Sequence, residues 1–249
     1  MTGTWLASLA TICLCQVALA QVPETGRWQD LDFTADAVQG RSSTRYHQIL
    51  ADLAANGTLD DDAAMLRRVR RITSGLVRAA IAVKPAAAEW QWEMHVTSDP
   101  DQEAFCMAGG KLLVGTKFVQ HLALDDEELA TLIGHEVAHA IAEHHREELS
   151  AVLRIGPGHP VRPLETLMSQ LDTDLSLQIR LSELSRIQES EADQLGMVLA
   201  SRAGWPTSGM VSFYRKLAQA GSPGFNDRSH PSPASRLNMA SLLALLLGQ

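Results

Sequence analysis

"GHEVAHAIAEHH", residues 134–145, gathers four of the chain's nine histidines into twelve positions. His135 and His139 are four apart, so on an α-helix they project from one face, about one turn from each other. Two imidazoles placed that way can hold one zinc ion. Glu136 lies roughly a quarter turn further round, badly aimed for a third ligand but within reach of a water beside the ion. Two ligands and a general base are the physical content of H-E-x-x-H. His144 and His145 follow His139 by five and six positions, which on a continued helix carries them to other sides. They are expected at the surface.

The surrounding residues predict one helix over 125–153. Asp125 can cap it, Glu128 sits three residues on, and Leu129, Leu132, Ile133, Val137 and Ile141 form an apolar stripe. Gly134 interrupts this helix at a cost of about 1 kcal/mol relative to alanine, so close packing beside the metal is the expected reason for it. A catalytic zinc takes three protein ligands and keeps one position open. The segment "RIQESEADQLG", 186–196, offers Glu189, Glu191 and Asp193 as the third. If Glu189 faces the metal, Asp193 lies at i+4, where it can accept from the far nitrogen of a ligand histidine and fix its tautomer. Gly196 at i+7 is small enough for the two helices to approach. Glu191 faces away, with Leu195 at i+4 and no comparable support. Glu189 is therefore the preferred ligand and Asp193 its supporting carboxylate.

With these residues in place, the chain resembles the gluzincin metallopeptidases, the family that includes HtpX, the CAAX prenyl endopeptidase and Oma1. "GHEVAHAIAEH" followed some fifty residues later by "ESEAD" is similar to the family's paired motifs. The resemblance makes Glu189 the third zinc ligand and matches Asp193 to the closing aspartate. "EAFCMAGGKLLVGTKFV" is similar to the N-A-F-x-x-P-G-G segment, with Glu103 and Ala108 where the family has asparagine and proline. "SHPSPASRL" matches the late H-P-x-x-x-x-R element through His230, Pro231 and Arg236. His230 or Arg236 could donate to a developing oxyanion, and His230 could instead fill the open zinc position. The likeness spans roughly residues 60–240 and implies a protease with one zinc per chain and polypeptide substrates. A leader before a compact catalytic region resembles the soluble periplasmic branch exemplified by BepA and LoiP. That implies export to the bacterial periplasm and quality control of unfolded or outer-membrane proteins.

The first twenty residues, "MTGTWLASLATICLCQVALA", contain no charged side chain and end in Ala-Leu-Ala. They read as a secretory signal cleaved before Gln21, against a rival reading as a membrane anchor facing the periplasm. After cleavage Cys106 is the remaining cysteine, so no internal disulfide is expected, and a small buried hydrophobe is its expected role. A net charge of -8 argues against nucleic acid as a partner.

Residues 21–60 are mixed and polar, with Gly26, Gly40 and Gly57 breaking any long period. A helix begins near Asp61 and ends at Pro85; its arginines 67, 68, 70 and 71 are expected on a solvated face. "WQWEMHVTSD", "EAFCM" and "KLLVG" are predicted strands, the last two joined by Ala108-Gly109-Gly110. Residues 164–184 could be helix or a lid, and later helices are expected over 185–203, 208–220 and 234–247. Early strands and late helices give an α+β class, mostly helical, with a small antiparallel sheet before the active-site helix. The expected organisation is one metallopeptidase domain over 21–249, comprising an extension over 21–60 and a catalytic core from 61. The reading is a metalloendopeptidase. Its alternative is a non-catalytic, chaperone-like binding protein that zinc holds together, in which Glu136 would have no task.

Overall fold

The Asp125 side chain accepts from the Glu128 amide while the Glu128 carboxylate accepts from the Asp125 amide, each at 2.9 Å, closing a capping box. Asp126, Glu127 and Glu128 place negative charge against the positive end of the helix dipole. In the computed structural model, which describes residues 18–155, 163–220 and 231–248, this start opens the central helix, α4 (Asp126–Ile141). The expected stripe of Leu129, Leu132, Ile133, Val137 and Ile141 is fully buried. Burial extends around nearly the whole helix, as expected of an element surrounded by others.

The expected continuous helix to residue 153 is two helices. Ala142 caps α4, Glu143 turns to φ +58, and α5 runs over His144–Ile155. Lys84 and Arg146 hold the Glu143 carboxylate at 2.8 and 2.9 Å. Those contacts offset the cost of a left-handed backbone at a residue with a Cβ. The helical period therefore restarts at His144.

Three strands precede α4: β3 (Glu93–Thr97), β4 (Ala104–Met107) and β5 (Lys111–Gly115), in the order β3-β5-β4. β4 and β5 form the expected antiparallel hairpin, Ala104 opposite Val114, through a turn with Gly109 at φ +82 and Gly110 at φ +78. A Cβ on Gly110 would lie 2.5 Å from the Trp92 ring, so both the dihedral and the space demand glycine. β3 joins β5 in parallel register, Glu93 opposite Lys111, making the sheet mixed. β4 is left as an edge strand beside the cleft.

Residues 21–60 are more ordered than their composition suggests. β1 (Ala18–Gln21) pairs antiparallel with β2 (Trp28–Leu31), and α1 (Ala35–Ala55) runs straight through Gly40. Thr34 caps α1, and Val38, Ser42, Tyr46, Leu50 and Leu53 mark its buried face. The Tyr46 hydroxyl donates to the Leu112 carbonyl at 2.6 Å, tying α1 to the sheet. Tertiary burial of one face outweighs the weak local signal.

α2 (Ala63–Val83) starts at its Asp62 cap as expected. Its arginine run is only partly solvated, because Arg68 and Arg71 both pair with Asp126 of α4. Residues 164–184 are helical: α6 (Leu164–Thr173) ends at Asp174, which caps α7 (Leu175–Arg202). α7 thus begins ten residues before the expected position; Leu177 and Leu181 bury one face of its first turns while Leu175 and Ile179 stay exposed, so the apolar residues there follow no single stripe in the sequence. α8 (Thr207–Ala220) and α9 (Pro233–Leu247) complete the described elements, with α7 against α4 and α9 against α7 and α8. The class is mostly helical α+β. Among the described residues, no helix is long and apolar enough to cross a membrane.

Candidate metal centre

His135 and His139 point from one face of α4 toward α7, their rings 4.7 Å apart. Their Nε2 atoms are separated by 3.1 Å. From α7, one Glu189 carboxylate oxygen lies 3.3 Å from His135 Nε2 and the other 3.4 Å from His139 Nε2. Donors about 2.0–2.1 Å from a tetrahedral ion stand about 3.3 Å from one another. The three side chains are thus spaced suitably for a zinc-sized cation, and they form the metal-competent cluster found among the described residues. Glu189 is half-buried and His135 almost wholly buried.

The far nitrogens are engaged as well. His135 Nδ1 lies 2.9 Å from Asp193 Oδ1, the carboxylate expected one turn along α7. Asp193 is itself buried and receives the Tyr214 hydroxyl at 2.8 Å and Arg236 Nε and Nη2 at 2.8 and 2.6 Å. Burial alone would raise the Asp193 carboxyl, but Arg236 and His135 outweigh it and hold the group ionised. Burial also works against charge on His135, yet Asp193 and Glu189 lift its imidazole to about 10. Two carboxylates thus favour positive charge at this point.

Arg236, one of two candidates for an oxyanion donor, is buried behind Asp193, whose carboxylate its guanidinium grips. It reaches the centre through Asp193 and His135. His230, the other candidate, lies outside the described residues. Tyr214 carried no spacing signal in the sequence; its hydroxyl meets Asp193 only because α8 folds back onto α7.

His144 departs furthest from expectation. It is 2% exposed, with Nδ1 3.0 Å from His139 Nδ1 and Nε2 3.4 Å from Glu191. The break at Glu143 redirects it inward. Glu191, expected without support, is also buried: Arg27 reaches it through Nε at 2.8 Å and Thr25 through its hydroxyl at 3.0 Å. These partners lie more than 160 positions away in the chain, beyond any local pattern. His145 does remain partly exposed, 3.7 Å from Glu148.

A cleft of about 670 Å³ opens over the cluster, lined by Glu136, by Phe105, Cys106 and Met107 at the edge strand, and by Arg45 and Ile49 of α1. Glu136 is 7% exposed and sits beside the two imidazoles on α4. Cys106 is buried, and that burial pushes its thiol well above the ordinary value, leaving a small apolar wall residue of low reactivity. Cys13 and Cys15 lie outside the described residues.

The family model of peptidase family M48 matches residues 63–243, from the start of α2 into α9. The mitochondrial metalloendopeptidase OMA1 of Arabidopsis thaliana is 35% identical over 147 residues, covering 58% of this chain and 30% of the relative. Human OMA1 is 27% identical over 192 residues, covering 73% and 36%. A beta-barrel assembly-enhancing protease of Yersinia pestis is 22% identical over 203 residues, covering 76% and 40%. The chain thus spans about a third of the length of these curated relatives. The matched segment contains both histidines of α4 and Glu189, Glu191 and Asp193 of α7, and the chain belongs to peptidase family M48.

Proposed function

We propose that this chain is a zinc-dependent metalloendopeptidase in which His135, His139 and Glu189 hold one zinc ion and Glu136 is the general base. The observation that carries the reading is the convergence of three donor side chains from two helices, their nitrogen and oxygen atoms 3.1–3.4 Å apart. When bound, zinc supplies the Lewis acidity that activates a water and polarises a scissile carbonyl. Glu136, on the same helix as both histidines, takes the proton of the attacking water and returns it to the leaving amine. Asp193 keeps His135 in the tautomer that presents Nε2 to the metal, and Arg236 and Tyr214 keep Asp193 in place. The intact base favours this reading over a non-catalytic, zinc-stabilised protein.

The substrate is an extended polypeptide. β4 pairs with β5 on one side only and borders the cleft, so a peptide can add alongside it through main-chain hydrogen bonds that tolerate varied side chains. That mode suits unfolded or misassembled chains, whose backbone is available for pairing. The name of the Yersinia relative, which refers to β-barrel assembly, supports outer-membrane proteins as the clients. Residues 21–249 act as one domain in this reading. Residues 1–20 direct export to the periplasm, and cleavage before Gln21 removes Ala18–Ala20 of β1 from the mature protein.

The decisive test is cleavage of a reduced, unfolded protein by the purified full chain, with and without a chelator and with zinc restored. Loss on chelation and recovery on zinc addition are expected. Chelator-resistant cleavage would overturn the zinc mechanism, and zinc binding without cleavage would favour the binding protein. N-terminal sequencing of the exported protein tests the leader; a chain still beginning at Met1 would make it an anchor.

A further inference from the structure

The two ligand histidines are braced unequally. His135 meets a carboxylate directly, whereas His139 Nδ1 meets another imidazole, that of His144, at 3.0 Å. Their rings stand edge to face, 4.9 Å between centroids at 80°. An imidazole that offers Nε2 to a metal carries its proton on Nδ1. His139 Nδ1 therefore donates, and His144 Nδ1 must accept. That choice puts the His144 proton on Nε2, which lies 3.4 Å from Glu191 Oε2. Arg27 grips Glu191 and also reaches both oxygens of Glu147 at 2.6 and 2.7 Å. Gln188 donates to the His144 carbonyl at 3.2 Å and to Glu147 at 2.9 Å, fixing the start of α5.

We infer that His144, oriented by Glu191, is a positioning residue for His139, so that the second ligand is aimed by an imidazole–carboxylate pair. Glu191 and Asp193 thereby have parallel duties on α7. Asp193 orients one ligand histidine directly and Glu191 the other through His144, and each carboxylate is held by an arginine remote in sequence, Arg236 for the first and Arg27 for the second. A histidine that only filled space under α4 would impose no tautomer on its neighbour.

This inference rests on the zinc reading above, and its test separates the two. Zinc affinity of the full chain is measured by competition with a chromophoric chelator. His144→Leu is expected to weaken binding about 10- to 100-fold, the usual effect of removing a partner from a ligand histidine. His144→Asn, whose side-chain oxygen can accept from His139 Nδ1, is expected to stay within about threefold of the parent. Zinc binding by His144→Leu equal to that of the parent overturns the inference while the zinc reading stands. A parent chain that binds no zinc overturns both. Because the leucine variant can misfold, nitrogen-15 spectra of the zinc-loaded parent provide a second readout. They are expected to show His139 protonated at Nδ1 and His144 at Nε2; a proton on His144 Nδ1 overturns the inference.

Discussion

Gly134 of α4 and Gly196 of α7 face each other where the two helices cross. A Cβ on Gly196 would lie 2.6 Å from the backbone nitrogen of His135, and one on Gly134 would lie 2.8 Å from the Gly196 carbonyl oxygen. Both side chains are absent where the backbones meet, and that approach brings Glu189 to His135 and His139. Gly196→Ala forces the helices apart, since its clash is with backbone rather than a flexible side chain. The expected result is a loss of about 1–3 kcal/mol in urea unfolding together with weaker zinc binding. An alanine variant with parental zinc affinity would show that the crossing distance does not set the metal site.

Glu136→Gln keeps the shape of the side chain but removes its basicity. Zinc content is expected to remain at one per chain, while cleavage of an unfolded protein falls by a factor of about 100 to 10,000. An undiminished rate would remove Glu136 from the role of base.

Glu189 and Glu191 of α7 should separate cleanly by metal analysis. Glu189→Ala removes a donor and is expected to abolish stoichiometric zinc. Glu191→Ala still binds zinc at saturating concentration, with reduced affinity. It also leaves Arg27 with one carboxylate instead of two, so unfolding is expected to cost about 3 kcal/mol less. Equal zinc loss in both variants would contradict the assignment of Glu189.

Arg236→Ala strands the Asp193 carboxylate in a buried site. A loss of about 3–5 kcal/mol is expected in chemical denaturation of zinc-free protein. Tyr214→Phe removes one hydrogen bond to the same carboxylate and is expected to cost less, about 1.5–3 kcal/mol. A larger loss from tyrosine than from arginine would invert the proposed hierarchy.

Glu191 also links stability to acid. Burial would raise its carboxyl, but His144 and Arg27 more than offset this and lower it from 4.5 to about 2. A depressed folded value means that the contribution is fully present above about pH 4.5 and is lost as pH falls toward 2. Melting temperatures of chelated protein are expected to decline steeply over that window, by several degrees. The Glu191→Gln variant is expected to start lower and decline less. Parallel curves for the two proteins would exclude the linkage.

Local periodicity was enough to make the donor cluster legible. The four-residue spacing of His135 and His139 and that of Glu189 and Asp193 each lie within one unbroken helix, where 3.6 residues per turn fixes which side chains share a face. Gly134 and Gly196 marked the crossing for the same reason. The hairpin turn at Gly109 and Gly110 was equally local. His144 failed this logic because Glu143 resets the helical phase, and the contacts that stabilise the reset come partly from Lys84, nearly sixty positions earlier. α1 was hidden because its buried face carries Ser42 and Tyr46 as well as aliphatic residues, a mixture without a clear apolar period.

The sequence by itself thus singled out His135, His139 and Glu189 as candidate donors, Glu136 as the candidate base and Asp193 as the carboxylate behind His135, since spacing within each of two helices sets which side chains share a face. Tertiary structure alone decided what braces them: Arg27 and Glu191 beside His144, Arg236 and Tyr214 around Asp193, and β4 exposed along the cleft. Buried charge tolerates such placement only when its partner arrives from another element, and no local pattern encodes where distant segments meet.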